Sequence, residues 1–324
     1  MSKRVLITGA SGFLGYHLIQ AALEHNFEVF AAVRQSSKID HLKTSQVTFT
    51  YPDLSCPTQL EENFRTNKYD YIIHAAGSTK ARRKEEYEMI NAQYAKNVAM
   101  AAQESGLDLK KFILVSSLAA LGPQSGAKIE IKPNPVTSYG ISKLKAEQYL
   151  AEFNLPLIVI RPTAVYGPRE QDIFIILKAI SRGLELYIGN SSQQLSFIHV
   201  TDLANVTIEL LESSLVQKTY NLTDGDSYDR YALGNIAKQV LGKRTLKIHL
   251  PFGMIKIVAG LLETLYSWNG KTPALNREKL MELTAANWYY DIAELKNDIG
   301  FKPTYKLENG LKQTLQWYQK HNWI

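Results

Sequence analysis

Three side chains of types that can move a proton stand in the middle of the sequence: Ser117, Tyr139 and Lys143. Because Tyr139 and Lys143 are four residues apart in a strongly helical stretch, we expect them on one face of a helix, with the ammonium near the phenol. A tyrosine ordinarily has a pKa of about 10, too high to accept a proton readily at neutral pH. A neighbouring lysine ammonium, together with the positive charge of an oxidised cofactor, would stabilise the phenolate, so we predict a lowered pKa for Tyr139. Such a phenol could donate a proton to a carbonyl oxygen or take one from an alcohol.

The residues around this pair indicate where a substrate oxygen would lie. Residues 112–116 form an apolar run that predicts a buried strand, and Ser116 and Ser117 stand at its end. A serine there could hold the substrate oxygen beside the phenol. The alternative is that both hydroxyls only satisfy backbone groups. Asn91, in the helix before this strand, could brace the local backbone or a water that leads to Lys143, or it could be purely structural.

The start of the chain carries a second signal, a glycine-spaced turn between a predicted strand and a predicted helix. Glycines three residues apart let the backbone turn sharply and approach a ligand closely. The first-turn N–H groups of the following helix and its dipole suit a pyrophosphate. We therefore predict a dinucleotide site at Gly9, Gly12, Phe13, Leu14 and Gly15. A glycine-rich turn without a ligand is the alternative.

The residue after the second predicted strand bears on which dinucleotide is bound. In folds that prefer NAD, a carboxylate near the end of that strand bonds the adenosine ribose. Here the strand at 28–33 is followed by Arg34, and no acid stands where one is needed. A guanidinium offers a fork of donors that suits a 2′-phosphate. The sequence therefore predicts NADP(H) in preference to NAD(H), with a surface arginine at a strand end as the alternative.

Two further strand ends are candidates for contacts with the same cofactor. Asp53, after the third strand, could bond the adenine amino group, and Leu54 could cover the ring. Ala75, Ala76 and Gly77 follow the fourth strand with small side chains, as a backbone that lies along a dinucleotide requires. A tight turn without a ligand explains these small residues almost as well.

The elements that must position these residues alternate along the first half of the chain. Apolar runs predict strands at 5–7, 28–33, 47–51, 71–74, 112–116 and 157–161, with helices at 15–25, 58–65, 87–105 and 138–153 between them. This alternation predicts a doubly wound parallel sheet (Rossmann, α/β) with its crevice beyond the carboxyl ends of the strands. We predict a dinucleotide-binding domain at 1–165, to which a further strand and helix return from about 190–212. Residues 166–324 would mostly form a smaller substrate-binding region.

Composition narrows the class of protein further. The chain is 45% hydrophobic and 21% charged, and its net charge of +6 is not concentrated in one stretch, so we expect no nucleic-acid partner. The single cysteine, Cys56, excludes an internal disulfide and fits a reducing compartment. The chain enters a strand at once, so we expect no signal peptide and a cytoplasmic location. Residues 254–265 are too short to span a bilayer and predict an amphipathic helix that packs on the protein or, alternatively, rests on a membrane surface.

Six ordered motifs together resemble the extended short-chain dehydrogenase/reductase family. They are the turn at 8–15, residues 74–77, the strand end at 115–117, the Tyr139/Lys143 pair, residues 161–168 and residues 197–204. The similarity spans nearly the whole chain. The resemblance implies a nicotinamide-dependent enzyme with Ser117, Tyr139 and Lys143 as its triad, Pro162 in its cofactor site and no metal. It also implies a homodimer that pairs through the helices carrying Asn91 and Tyr139.

Two departures from the family bear on the substrate. Nucleotide-sugar enzymes usually carry an arginine two residues before the aromatic at 197, and this chain has Leu195, which cannot pair with a phosphate. Many epimerases also carry a tyrosine where this chain has Leu121. Both departures favour the branch that resembles dihydroflavonol reductases and 3β-hydroxysteroid dehydrogenases, so we predict NADP(H)-dependent reduction of an aldehyde or ketone, or oxidation of the corresponding alcohol. A nucleotide-sugar epimerase or dehydratase with tightly bound NAD(P), and a non-catalytic dinucleotide-binding sensor, are the alternatives.

Overall fold

The computed structural model describes residues 3–124, 132–268 and 277–324. Its strands are β1 (Lys3–Thr8), β2 (Phe27–Ala32), β3 (Thr48–Thr50), β4 (Tyr71–His74), β5 (Lys111–Val115), β6 (Leu157–Pro162), β7 (Ala164–Tyr166), β8 (Leu184–Ile188), β9 (Gln194–Leu195), β10 (Phe197–His199), β11 (Lys218–Leu222), β12 (Tyr228–Asp229) and β13 (Leu246–Leu250). Its helices are α1 (Phe13–Glu24), α2 (Pro57–Asn67), α3 (Lys84–Tyr87), α4 (Tyr94–Glu104), α5 (Ser138–Leu150), α6 (Asp172–Ser181), α7 (Val200–Glu212), α8 (Ala232–Leu241), α9 (Phe252–Trp268), α10 (Arg277–Thr284), α11 (Ala293–Ile299) and α12 (Leu307–Lys320).

Seven parallel strands form the central sheet, in the order β11-β6-β5-β4-β1-β2-β3. The strand order changes direction between β1 and β4, and Thr8 at the end of β1 lies opposite His74 at the end of β4. A change of direction of this kind leaves a crevice outside the carboxyl ends of the two strands. The predicted doubly wound parallel sheet is therefore confirmed, and its crevice lies beside the glycine turn.

Both faces of the sheet are buried, which explains why its strands read as continuous apolar runs. Alternate residues of β1 enter different cores: Val5 packs with residues of α1 and α7, and Leu6 packs with residues of α2, α4 and α5. A third apolar cluster, around Tyr166 and Leu311, joins α6, α8 and α12 beyond the sheet. The helix that begins at Ser138 is thus held against the sheet by core packing.

Elements after residue 165 return to the sheet region. The range 190–212, where a further strand and helix are predicted, contains β10, which pairs with β7, and α7, which packs in the same core as Val5. A strand that was not predicted, β11 at Lys218–Leu222, adds to the central sheet beside β6. The predicted helix at 87–105 is interrupted by a π-helical turn at Glu88–Gln93. The boundary at residue 165 stays a prediction.

The late apolar segment forms the helix α9, of 17 residues. Within the described ranges, none of the helices is both long enough and apolar enough to pass through a bilayer.

Candidate active site

In the turn at residues 9–15, at the end of β1, glycines let backbone segments approach each other closely. Gly9 has a positive φ of 70°, and a Cβ there would lie 2.7 Å from the Ala75 carbonyl oxygen. A Cβ at Gly15 would lie 2.2 Å from the Gly9 carbonyl oxygen. Gly12 is the N-cap of α1 and contributes no side chain to satisfy the first-turn N–H groups. The glycines thus form a cradle that side chains would fill, which fits a dinucleotide pyrophosphate.

The predicted adenosine-side residues lie around the ends of β2 and β3. The exposed Arg34 follows β2, and its backbone N–H donates to the Ser37 Oγ at 3.1 Å. The Asp53 carboxylate accepts hydrogen bonds from the Ser55 N–H at 2.9 Å and from its hydroxyl at 2.7 Å. Leu54 packs partly into the core beside α2 and α4. The Arg34 guanidinium is therefore available to an anion, whereas Asp53 already serves a local turn.

The residues after β4 are tied to β1 through two buried polar side chains. The Ala76 N–H donates to the Thr8 Oγ1 at 3.1 Å, and that oxygen lies 3.0 Å from the His74 Nδ1. Burial, followed by the charge of Lys143, lowers the pKa of His74 to about 3, so the imidazole is neutral. The His74 Nε2 is buried without a hydrogen-bond partner. These contacts hold the backbone at Ala75 and Ala76 against the glycine turn.

Two caps hold the start of α5, where Tyr139 lies. The Gly140 N–H donates to the Thr137 Oγ1 at 3.1 Å. The N–H and the hydroxyl of Ser138 donate to the Glu278 carboxylate of α10, at 2.9 and 2.6 Å. Side-chain acceptors at a helix N-terminus satisfy N–H groups that have no partner within the helix. A residue far along the chain, Glu278, thus helps to position the phenol.

The Tyr139 phenol interacts with Ser117, Glu282 and Tyr87. Burial raises the pKa of Tyr139 to about 12, and the charges of Glu282 and Tyr87 act in the same direction. A hydrogen bond with Ser117 opposes these effects. The protein's own groups therefore do not lower the Tyr139 pKa, because desolvation of the phenolate outweighs the hydrogen bond with Ser117, and the lowering assigned to an oxidised cofactor stays a prediction. The phenol is neutral at pH 7, which suits a proton donor.

Lys143 lies in the same buried region but faces the strand β5. Its Nζ donates to the Val115 carbonyl oxygen at 2.9 Å. Burial lowers the pKa of Lys143 to about 8, although the charge of Glu147 opposes this effect. The ammonium is therefore held by a backbone carbonyl, and the predicted stabilisation of the Tyr139 phenolate by this cation stays a prediction.

Asn91 lies within the π-helical turn and braces the segment that follows β4. Its Oδ1 accepts from the Ser78 N–H at 2.7 Å, and its Nδ2 donates to the Ser78 carbonyl oxygen at 3.0 Å and to the Ser142 Oγ at 2.9 Å. A Cβ at Gly77 would lie 3.0 Å from the Asn91 Oδ1 and 3.2 Å from the Lys143 Nζ. Gly77 thus lets Asn91 and Lys143 approach the same backbone, and π-helical turns of this kind are frequent at functional sites.

The two serines after β5 have different partners. The Ser116 hydroxyl donates to the Glu147 carboxylate, whereas the Ser117 Oγ accepts from the Ala119 N–H at 3.1 Å and contacts Tyr139. Glu147 also forms an ion pair with Arg161, whose Nε lies 3.0 and 3.2 Å from the two carboxylate oxygens. Sequence analysis missed this pair. The spacing of four residues between Lys143 and Glu147 could have shown that both lie on one face of α5.

Arg169 is a second residue that sequence analysis missed. It has a positive φ of 77°, which is uncommon for a residue with a Cβ, and its guanidinium lies 4.4 Å from the ring centroid of Tyr16, in the first turns of α1. Its charge helps to lower the pKa of His17, to about 4 with burial as the main cause, and that of His41. Arg169 therefore adds positive charge near the N-terminal end of α1. The motif at 161–168 directly precedes Arg169 and could have indicated that this residue lies near the site.

Two further predicted positions lie at strand ends. Pro162 is buried at the end of β6, opposite Leu222 of β11. Leu195 pairs with Tyr228 of β12 and packs against the third apolar cluster. Across the residues that the structure describes, no group of three or more His, Cys, Asp or Glu side chains is arranged to hold a metal ion.

Known proteins with similar sequences and folds include several nicotinamide-dependent enzymes. A family model described as the NAD dependent epimerase/dehydratase family matches residues 5–223. The chain is 28% identical over 324 residues to a ceramide reductase of Caulobacter vibrioides, with 99% of this chain and 96% of the relative covered. It is 25% identical over 340 residues to a UDP-glucose 4-epimerase of Vibrio cholerae, with 99% and 97% covered. The structure of a Bordetella bronchiseptica enzyme in complex with NAD and UDP has the same fold, with a TM-score of 0.79 at 20% identity and 99% and 96% of the two chains covered.

The family model covers more than half of the chain, and the matched residues include the glycine turn, Ser117, Tyr139 and Lys143. Reductases and epimerases both occur among the relatives, so the family alone does not select one reaction. The chain belongs to the NAD-dependent epimerase/dehydratase family, within the extended short-chain dehydrogenases/reductases, and is a nicotinamide-dependent enzyme.

Proposed function

We propose that this enzyme reduces an aldehyde or ketone with NADPH, and that Tyr139 donates the proton to the carbonyl oxygen. The observation that carries the proposal is the neutral phenol of Tyr139 hydrogen-bonded to Ser117 at the carboxyl end of β5. A group that donates a proton must hold it at the working pH, and a pKa of about 12 keeps the proton on Tyr139. The reverse reaction would need the phenolate as the base.

The other residues of the site have distinct parts in this proposal. When bound, the nicotinamide supplies the hydride. Ser117 would hold the substrate oxygen beside the phenol, since its hydroxyl already contacts Tyr139. Lys143 would bond the nicotinamide ribose and keep a positive charge near the reacting oxygen. Asn91 is a positioning residue, because it contacts Ser78 and Ser142 and acts through them.

The cofactor would lie across the crevice between β1 and β4. The turn at Gly9, Gly12, Phe13, Leu14 and Gly15 would take the pyrophosphate. The adenosine would be held by Arg34, Asp53 and Leu54, and the nicotinamide side by Ala75, Ala76, Gly77, Tyr139, Lys143 and Pro162. The cradle at Gly9 and Gly15, which any Cβ would fill, supports this placement.

Replacing Arg34 by alanine tests the choice between the two dinucleotides. We expect NADPH binding to weaken by about 1–3 kcal/mol, since a charge-assisted contact with the 2′-phosphate is lost, while NADH binding stays nearly unchanged. Fluorescence titration with both nucleotides measures the effect. Arg182→Ala, at another exposed arginine, serves as the control. Equal losses for NADPH and NADH would argue against this role of Arg34.

The pH dependence tests the role of Lys143. Its pKa of about 8 means that the ammonium is charged below this pH and loses its proton as the pH rises through it. We therefore expect kcat/KM for carbonyl reduction to be level near neutral pH and to fall above about pH 8. In Lys143→Arg, the guanidinium stays charged, so the remaining activity should not show this fall. Identical profiles for the two proteins would contradict the assignment.

The substrate assignment is supported by Leu195 and by the ceramide reductase among the relatives. Leu195 packs against apolar side chains at a position where nucleotide-sugar enzymes usually carry a phosphate-binding arginine. The UDP-glucose 4-epimerase relative supports the alternative, a nucleotide-sugar epimerase. A screen of carbonyl compounds and nucleotide sugars, followed by NADPH absorbance, separates the two. Consumption of NADPH with a carbonyl compound supports the proposal, whereas stoichiometric bound nicotinamide with conversion of a UDP-sugar would overturn it.

We also infer a homodimer that pairs through the helices carrying Asn91 and Tyr139. Met89 and Ile141 support it, because these neighbours of the two residues are 49% and 54% exposed, which is high for large apolar side chains. The cytoplasmic location stays a prediction.

A further inference from the structure

We propose that the segment from Lys243 to Val258 forms a surface that binds the face of an anionic lipid bilayer. The segment runs from the end of α8 through β13 into the first turns of α9. Its side chains combine exposed apolar groups with unpaired positive charges. We name this segment the basic-apolar surface.

The apolar part lies mostly on α9. Phe252, Met254, Ile257 and Val258 are 45%, 54%, 66% and 40% exposed, and Leu246 of β13 is 65% exposed. These five are among fourteen large apolar side chains that are exposed in the described part of the chain, so a third of them fall within 13 consecutive residues. Clusters of this kind mark a surface that contacts a protein or a membrane.

The apolar residues that attach α9 to the protein are different from the apolar residues that are exposed. Ile255 and Ala259 are the buried positions of the described first turns, with 8% and 0% exposure. They attach the first turns of α9 to the protein, whereas Phe252, Met254, Ile257 and Val258 are exposed. An amphipathic helix that only covers a core carries polar residues on that outer face. The outer face of residues 252–258 therefore has the composition of an interfacial helix.

The charges in the same segment have one sign. Residues 242–260 contain Lys243, Arg244, Lys247 and Lys256, and no acidic residue. All four are exposed, and within the described ranges none of them forms an ion pair. Lys247 lies over the Tyr231 ring, 4.3 Å from its centroid. Some exposed lysines elsewhere in this protein are paired, as Lys80 is with Asp172 at 2.6 Å.

A surface that combines exposed apolar side chains with positive charges fits the face of an anionic membrane better than it fits other partners. Lysines and arginines near a bilayer are attracted by anionic headgroups, while the neighbouring apolar side chains enter the boundary between headgroups and acyl chains. A second copy of the chain fits less well. A two-fold interface would bring the four cations of one copy against the same cations of the other.

The basic-apolar surface is linked through α10 to α5, the helix that carries Tyr139. The helix α10 packs against α9, and its Glu278 accepts hydrogen bonds from Ser138, next to Tyr139. A bilayer-bound enzyme would therefore present its site to a carbonyl compound that partitions into lipid. This last step rests on the proposed function, whereas binding to the bilayer does not.

Flotation with vesicles tests the binding without any turnover. We expect the enzyme to float with vesicles of phosphatidylcholine and phosphatidylglycerol, to stay behind with phosphatidylcholine alone, and to be released as salt is raised. Lys243→Gln with Lys256→Gln should weaken partitioning by about 25-fold, about fivefold for each cation. Met254→Ser with Ile257→Ser should weaken it by about tenfold or more.

Val216→Ser with Lys320→Gln is the matched control, since Val216 is 46% exposed and both residues lie outside the basic-apolar surface. This variant should bind as the wild type does. No flotation of the wild type, equal binding by the Lys243/Lys256 variant, or insensitivity to salt would overturn the proposal. A concentration-dependent dimer lost in the Met254/Ile257 variant, without vesicle binding, would assign the surface to a second copy instead. The salt series is measured on the wild-type enzyme, so it tests the proposal even where a variant misfolds.

Discussion

Tyr139→Phe is expected to lower kcat for carbonyl reduction by about 100- to 10,000-fold, because the group that donates the proton is removed. The ring itself remains, so its packing near Tyr87 is kept; the two ring centroids are 6.4 Å apart. NADPH affinity should therefore change by no more than a few-fold. Turnover is followed by NADPH absorbance and affinity by fluorescence titration.

Tyr87→Phe is the matched control for this prediction. The Tyr87 hydroxyl donates to the Thr79 carbonyl oxygen at 3.3 Å and has no part in the proposed proton transfer. We expect its loss to change kcat far less than the loss of the Tyr139 hydroxyl. Unchanged turnover in Tyr139→Phe would remove Tyr139 from the proposed mechanism, and the proposed reaction would then lack its proton donor.

Glu147→Ala is expected to lower the free energy of unfolding by about 3–5 kcal/mol. The substitution leaves the Arg161 guanidinium, whose side chain is only 18% exposed, without its carboxylate partner. It also removes the acceptor of the Ser116 hydroxyl. Chemical denaturation followed by circular dichroism measures the loss. Because Glu147 raises the pKa of Lys143, the fall of reductase activity with pH should move to lower pH in the same variant.

The ion pair between Glu88 and Lys145 provides the comparison. Its side chains are 53% and 34% exposed, so solvent screens the pair. Glu88→Ala should therefore cost less than about 1 kcal/mol. A similar loss of stability in both variants would show that burial of the Glu147–Arg161 pair has no special effect. A loss of stability in Glu147→Ala without any shift of the pH profile would separate its structural part from its effect on Lys143.

The fold was largely predictable because local patterns determine it. The predicted strands at 5–7, 28–33 and 157–161 agree with β1, β2 and β6 to within two residues at each end. Apolar runs separated by helical stretches permit few arrangements other than a parallel sheet. The seventh strand, β11, was not predicted, since its polar and apolar residues mix and its partner β6 is distant in sequence.

The residues that form the candidate site could be predicted from the sequence, but their pKa values could not. Ser117, Tyr139 and Lys143 follow from strand ends and from a spacing of four residues. The pKa of Tyr139 does not, because it depends on burial and on Glu282, which arrives from α10. The same holds for Arg169, whose guanidinium lies over the Tyr16 ring only in the folded chain.

By itself, the sequence determined the order of the elements, the glycine turn and the side chains that stand at the strand ends. These features depend on backbone preferences and on the periodicity of neighbouring residues, which are local properties. Only the tertiary structure decided that burial raises the Tyr139 pKa, that Glu147 pairs with Arg161 and that the apolar side chains at 252–258 are exposed. The physical reason is that desolvation, ion pairing and exposure depend on which distant segments share the same space.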